Sequence, residues 1–182
     1  MTYSHLKDVL YPIKVFYGPM FSKKSTNLLK MYIDSKEPKM IISHTFDTRC
    51  DSDVINTHDG DYVKGIKVKS IYEILDMKDY KKAKEVYIDE SQFFGKKLYN
   101  FISKERFKKK FILAGLDLDS DLNQFGSLLD IIKLKNVISH RMPSKCYICN
   151  SKAFYTLCVV KKNGQILSGS SEYKPCCKVH HK

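Results

Sequence analysis

Short apolar runs alternate along the chain with amphipathic stretches. "IKVFY" (Ile13–Tyr17) and "KMIIS" (residues 39–43) read as buried strands. "EVYIDE" (residues 85–90) and "KFILAGL" (residues 110–116), rich in β-branched and aromatic residues, predict two more, and "GIKVKS" (residues 65–70) alternates as a weaker strand should. Between strands the apolar period lengthens. Phe94, Leu98, Phe101 and Ile102 fall on one helical face, and Phe125, Leu128, Leu129 and Ile132 on another. Strands alternating with helices predict an α/β fold, a mostly parallel sheet flanked by helices, with ligands beyond the carboxyl ends of the strands.

The pattern changes near Arg141, Met142 and Pro143. In "AFYTLCVVKKNGQILSGSSEY" two strand-like runs flank Asn163-Gly164, a strong hairpin turn. We read residues 1–142 as the α/β domain and residues 143–182 as a small second domain.

Composition narrows the class. With 182 residues, 43% hydrophobic and 12% aromatic, the chain buries a core and is not a disordered polymer. The net charge of +12 suits polyanionic ligands, but the lysines are spread along the chain, as on a solvated surface, so nucleic acid is not the expected partner. No apolar run reaches the roughly 18 residues of a membrane span, and the first residues lack a signal peptide's apolar block, so the expected compartment is the cytoplasm. Six cysteines in a reducing compartment are poor disulfide candidates, and five of them fall from Cys146 to Cys177, which points to metal.

Two stretches carry chemistry. "VFYGPMFSKKSTNLLK" (residues 15–30) is a strand, a loop and a helix-like segment in the outline G-x-x-x-x-G-K-[ST]. The loop Gly18, Pro19, Met20, Phe21, Ser22, Lys23, Lys24 and Ser25 would wrap backbone amides around phosphates at a helix N-terminus. Gly18 allows the turn, Lys24 supplies a point charge, and Ser25 offers its hydroxyl to Mg²⁺. Lys23 stands where the pattern has its second glycine. If its φ is positive, the side chain costs roughly 1–2 kcal/mol there. Downstream, "VYIDESQFF" ends a buried strand in Asp89 and Glu90. Asp89 is placed to serve Mg²⁺, and Glu90 to take a proton from a hydroxyl nucleophile.

"CYIC" supplies Cys146 and Cys149, and "PCCKVHH" supplies Cys176 or Cys177 with His180 or His181. Two close pairs separated by a hairpin suit one tetrahedral, structural Zn²⁺ that holds together a domain too small for its own core. Spacing favours Cys177 and His180; Cys176 and His181 are the alternatives.

The ordered set "GPMFSKKST", "FDTRC", "THDG", "IDESQFF", "LAGLDLD" and "QFG", followed by the two ligand pairs, resembles the type II thymidine kinases of animals, bacteria and large DNA viruses. The resemblance covers nearly the whole chain. It implies a P-loop NTPase-like sheet with a zinc-binding hairpin lasso, and ATP-dependent transfer of a phosphoryl group to the 5′-hydroxyl of deoxythymidine. It implies Glu90 as general base and Arg49 and Gln92 at the ATP side. Phe93, Leu116, Phe125 and the Ser120 position would line the nucleoside, with Tyr173 near the base. Gly164, Gln165, Ile166, Leu167 and Ser168 would offer backbone hydrogen bonds to its polar edge. The family's second metal pair falls on Cys177 and His180, and its members form tetramers.

Two departures stand out: Lys23, and Ser120 where the family usually has Phe. They leave open a catalytically impaired, nucleotide-binding relative and, more remotely, a zinc-containing nucleic-acid-binding module.

Overall fold

Six parallel strands form one sheet in the computed structural model, which describes residues 10–47, 54–56, 60, 62–160 and 172–181. In chain order the elements are β1 (Ile13–Tyr17), α1 (Lys24–Asp34), β2 (Lys39–His44), β3 (Val54–Asn56), β4 (Tyr62–Lys64), β5 (Ile66–Val68), α2 (Lys78–Lys82) and β6 (Glu85–Ile88). They continue with α3 (Lys96–Glu105), β7 (Lys110–Gly115), α4 (Leu128–Ile131), β8 (Val137–Arg141), β9 (Ser144–Lys145), β10 (Lys152–Ala153), β11 (Tyr155–Cys158) and β12 (Tyr173–Cys176). The sheet order is β5-β2-β6-β7-β1-β8, with every neighbour parallel. Small antiparallel pairs, β3 with β4, β9 with β10 and β11 with β12, lie outside it.

Strand alternation sorts the core into two layers. Val15, Ile42, Ile88 and Leu113 face Leu98, Phe101 and Ile102 of α3 and Leu128 and Ile131 of α4. Phe16, Ile41, Tyr87 and Ile112 face Leu28 and Leu29 of α1. Both faces are covered, which is why the strands read as apolar runs. Truncating a fully buried ring here, such as Phe111, is expected to cost about 3–5 kcal/mol.

Two expectations are corrected. Phe94 does not share a helix with Leu98: it ends a 3₁₀ turn, Ser91–Phe94, and Gly95 at φ 57° separates that turn from α3. The predicted helix from Phe125 to Ile132 shrinks to α4, because Gly126 at φ 73° breaks the backbone ahead of it. Phe125 therefore lies in the loop before the helix. Asn163-Gly164 lies outside the described residues, although the strands on either side, β11 and β12, pair antiparallel as a hairpin requires.

Candidate active site

The loop after β1 is shaped by its contacts. Met142 N–H donates to Tyr17 O at 2.7 Å. This brings the chain leaving β8 so close that a Cβ on Gly18 would sit 2.4 Å from the Met142 carbonyl oxygen. Gly18 also has φ 140°, so no other residue fits. Phe21 and Lys23 both adopt left-handed backbone, φ 59° and 62°. Lys23 thus holds the conformation that its glycine-requiring position demands, with the side chain exposed. α1 starts at the next residue without a side-chain cap and without an acidic residue in its first turn, so the positive end of its dipole is not offset within the helix. Ser22, buried, donates to Pro19 O at 2.8 Å. The Lys24 ammonium donates to Pro19 O at 2.6 Å and to Ser22 Oγ at 3.2 Å, closing the loop on itself.

Two contacts from the carboxyl-terminal strands hold the outside of this loop. Met20 N–H donates to Thr156 Oγ1 at 3.1 Å, and Ser144 Oγ donates to Phe21 O at 3.0 Å.

Ser25 Oγ donates to Asp89 Oδ1 at 2.9 Å, so the loop and the acidic motif meet at the carboxyl ends of their strands. Asp89 is buried just past β6, and Glu90 follows with φ 48°, turning its carboxylate away from the strand line. Gln92 fixes that carboxylate: its Nε2 donates to Glu90 Oε2 at 2.6 Å, while its Oε1 accepts the Leu116 N–H at 3.0 Å. Gln92 is itself clamped between glycines. A Cβ on Gly115 or on Gly126 would come within 2.6 Å of its side-chain or backbone oxygen. Gln92, expected at the ATP side, uses its amide as the rigid link between Glu90 and β7.

An aromatic wall stands beside Glu90. The Phe93 ring lies edge-on to Phe125 at 5.6 Å and to Phe46 at 5.8 Å. His44 packs against Phe46 and Phe94. Its Nδ1 accepts the Phe46 N–H at 3.1 Å, so Nε2 carries the proton it shares with Lys69 O at 3.0 Å. Burial pulls the His44 pKa down, which favours this neutral ring. Leu116 and Ser120 are half-buried at the end of β7, and the Ser120 carbonyl accepts from His181 Nε2 at 3.1 Å. Tyr173 opens β12 opposite Cys158. Arg49 and the segment from Gly164 to Ser168 lie outside the described residues.

The sulfur and imidazole atoms of Cys146, Cys149, Cys177 and His180 all lie within 4.8 Å of one another. Cys149 Sγ is 3.8 Å from Cys177 Sγ, and His180 Nδ1 is 3.3 Å from Cys177 Sγ and 3.5 Å from Cys146 Sγ. A tetrahedron built on the usual Zn–S and Zn–N lengths has S···S edges of about 3.8 Å and S···N edges of about 3.6 Å. The cluster therefore fits a metal ion. Burial raises the Cys146 thiol, but N–H groups of Cys149, Cys177 and Ile148 and the His180 ring outweigh it and bring the pKa down to about 5. Cys176 behaves oppositely: burial, then the neighbouring Cys146 and Cys177 sulfurs, push it up to about 11. A thiolate is the ligand form, so the chemistry separates Cys177 from Cys176. His181, the other alternative, is turned to Ser120 instead.

The sequence profile of the family described as thymidine kinase matches residues 11–181. The chain belongs to the thymidine kinase family. It is 34% identical over 184 residues to thymidine kinase a of Arabidopsis thaliana, covering 93% of this chain and 74% of that one. It is 31% identical to the thymidine kinase of Mycoplasma genitalium, covering 92% of this chain and 82% of the relative. With the thymidine kinase of Amsacta moorei entomopoxvirus it shares 33% identity over 92% of this chain and 96% of the other.

Several residues at this family site carry no signal in the sequence. Thr156 and Ser144 act through contacts 136 and 123 residues away along the chain. Buried Asp117 pairs with Arg141 at 3.3 Å, and that guanidinium also lies 5.1 Å from the Phe154 ring centroid, joining the end of β7 to the carboxyl-terminal strands. No hydrogen-bond pattern in the linear sequence announces any of them.

Proposed function

We propose that this chain transfers the γ-phosphoryl group of ATP to the 5′-hydroxyl of deoxythymidine, giving dTMP. The observation that carries the reading is the Ser25–Asp89 hydrogen bond, 2.9 Å long across 64 residues, which joins the phosphate loop to the acidic pair in a chain of this family. Backbone N–H groups of the loop from Gly18 to Ser25, apart from Pro19, which has none, and Met20, whose N–H is given to Thr156, would hold the phosphates together with the Lys24 ammonium. Arg49 would approach the same phosphates.

The Ser25 and Asp89 oxygens are hard donors and suit Mg²⁺. That ion, when bound with the nucleotide, neutralises charge on the phosphates. Glu90, aimed by Gln92, would accept the hydroxyl proton. Phe93, Leu116, Phe125 and the Ser120 position would border the nucleoside. Tyr173 and the backbone of residues 164–168 would lie against the base. A strand edge with alternating N–H and C=O groups matches thymine, which has a donor between two carbonyls. Excluding water from this site protects the phosphoryl group from hydrolysis.

The reading divides the chain at residues 142 and 143 into a nucleotide-binding domain and a zinc-held lasso, with Cys146, Cys149, Cys177 and His180 as structural ligands. It also carries a homotetramer and a cytoplasmic setting. Among the described residues no helix is long and apolar enough to cross a membrane.

The test is thymidine-dependent ADP release in the presence of Mg²⁺. The native chain turns over, and Glu90→Gln loses about 10²–10⁴-fold in kcat while still binding ATP. A native chain that releases no ADP with thymidine, or an equally active Glu90→Gln chain, rejects the reading.

A further inference from the structure

Ser43 is fully buried, and its hydroxyl has no hydrogen-bond partner among the described residues. Such a group needs an explanation, and a partner that arrives with the ligand is one. Its place in the sheet says what that partner is. Ile42 of β2 pairs with Ile88 of β6, and the Asp89 N–H donates to Ile42 O at 2.9 Å. The next residue along β2, Ser43, therefore stands beside Asp89. Ile41 and Tyr87 both belong to the core layer under α1, and two residues on, Ser43 and Asp89 share that face. Ser25, at the start of α1, reaches Asp89 from the same side. The register thus puts Ser43 on the same sheet face as Asp89 and its partner Ser25, under the start of α1. On the other flank Ser43 registers with Lys67, whose ammonium donates to Asp47 O at 2.6 Å.

We propose that the Ser43 hydroxyl holds a water of the divalent cation that arrives with the nucleotide, making Ser43 a positioning residue for the metal beside Asp89. The inference rests on the phosphate-site reading given above. A hydroxyl is small enough for an outer-sphere role and, unlike a second carboxylate, adds no charge that would repel the phosphates. Groups in the second shell of a metal set its affinity by about 10–100-fold, and a single water-mediated hydroxyl belongs at the lower end.

The experiment measures Mn²⁺ binding to the ADP complex by electron paramagnetic resonance, for the native chain, Ser43→Ala and Ser43→Thr. Ser43→Ala is expected to raise the Mn²⁺ dissociation constant about tenfold. ADP affinity without added divalent cation stays at the native value, and Ser43→Thr, which keeps the hydroxyl, stays near native. Ser43→Cys replaces the alanine variant if that chain does not fold. A Mn²⁺ dissociation constant within twofold of native in Ser43→Ala overturns the inference and leaves the phosphate site standing. A native chain that binds ADP equally with and without Mn²⁺ overturns both.

Discussion

The Met20 N–H donates to the Thr156 hydroxyl at 3.1 Å, tying the phosphate loop to the strand that follows the Cys146–Cys149 pair. The phosphate loop is therefore not supported by its own strand and helix alone. Thr156 is buried, and the methionine amide it satisfies belongs to the backbone that would surround phosphate. Thr156→Val keeps the shape and removes the acceptor. A neutral hydrogen bond of this kind contributes about 0.5–1.5 kcal/mol. The expected result is ADP or ATP binding weakened about two- to tenfold by calorimetry, with Thr156→Ser close to native. Unchanged binding in Thr156→Val would show that the loop holds its shape unaided.

Metal removal extends the same argument. The cluster of Cys146, Cys149, Cys177 and His180 sits at the base of the strands that carry Ser144 and Thr156. A strong chelator should release about one zinc per chain, lower the thermal midpoint and weaken nucleotide binding, because both supports of the loop leave with the metal. Substitution separates the adjacent thiols. Cys177→Ala should purify without zinc, and Cys176→Ala should retain it, as read by elemental analysis. The reverse pattern would move the site to Cys176.

Much of this was legible in the linear pattern, and the exceptions have physical causes. β1, β2, β6 and β7 are covered on both faces, so their residues are apolar in continuous runs. β8 was not recognised because it is the sheet edge: four of its five residues, including His140 and Arg141, are exposed, and "VISHR" has neither alternation nor an apolar run. The strand–loop–helix of residues 13–34, the acidic pair after β6 and the two Cys/His pairs were legible because the residues of each lie close in sequence. Gln92 was legible as a motif position but not as the clamp on Glu90. That role depends on Gly115, at the end of β7, and Gly126, in the loop before α4, both meeting it. The Ser120 departure has no structural explanation: the carbonyl that accepts from His181 is backbone and does not depend on the side chain.

A buried carboxylate at the opposite end of β6 gives the fold a stability that depends on pH. Glu85 accepts from Lys110 at 2.8 Å and from the Ser35 and Tyr87 hydroxyls at 2.7 Å each. Burial pushes its pKa up, but these three donors win and hold it below the ordinary 4.5. Because the folded pKa is the lower one, the contribution is complete above about 4.5 and is lost as pH falls through the depressed value. Glu85→Gln should therefore cost about 1.5–3 kcal/mol at pH 7 in urea unfolding. The gap to native should narrow as pH drops below about 4. A gap that stays constant with pH would show that Glu85 acts by packing alone.

Lys23 is the residue whose conformation the fold imposes against its chemistry. At φ 62° and ψ 26° it lies in the left-handed region, and its carbonyl accepts from the Asn27 backbone and side chain at 3.1 and 2.8 Å. The backbone cannot relax without losing those contacts to the first helical turn. Lys23→Gly removes a strain of roughly 1–2 kcal/mol, partly offset by the greater freedom of glycine in the unfolded chain. A net gain of about 1 kcal/mol raises the thermal midpoint of a domain this size by about 2–4 °C. Lys23→Ala keeps a Cβ and should not show the gain, which separates backbone strain from loss of charge. For catalysis the two effects would oppose each other, since Lys23→Gly also removes an ammonium from the loop proposed to hold the phosphates. If strain is what limits the loop, Lys23→Gly lowers the KM for ATP and Lys23→Ala raises it. If both variants raise it alike, the ammonium itself binds phosphate, and Lys23 is a second cation of the loop in place of its missing glycine.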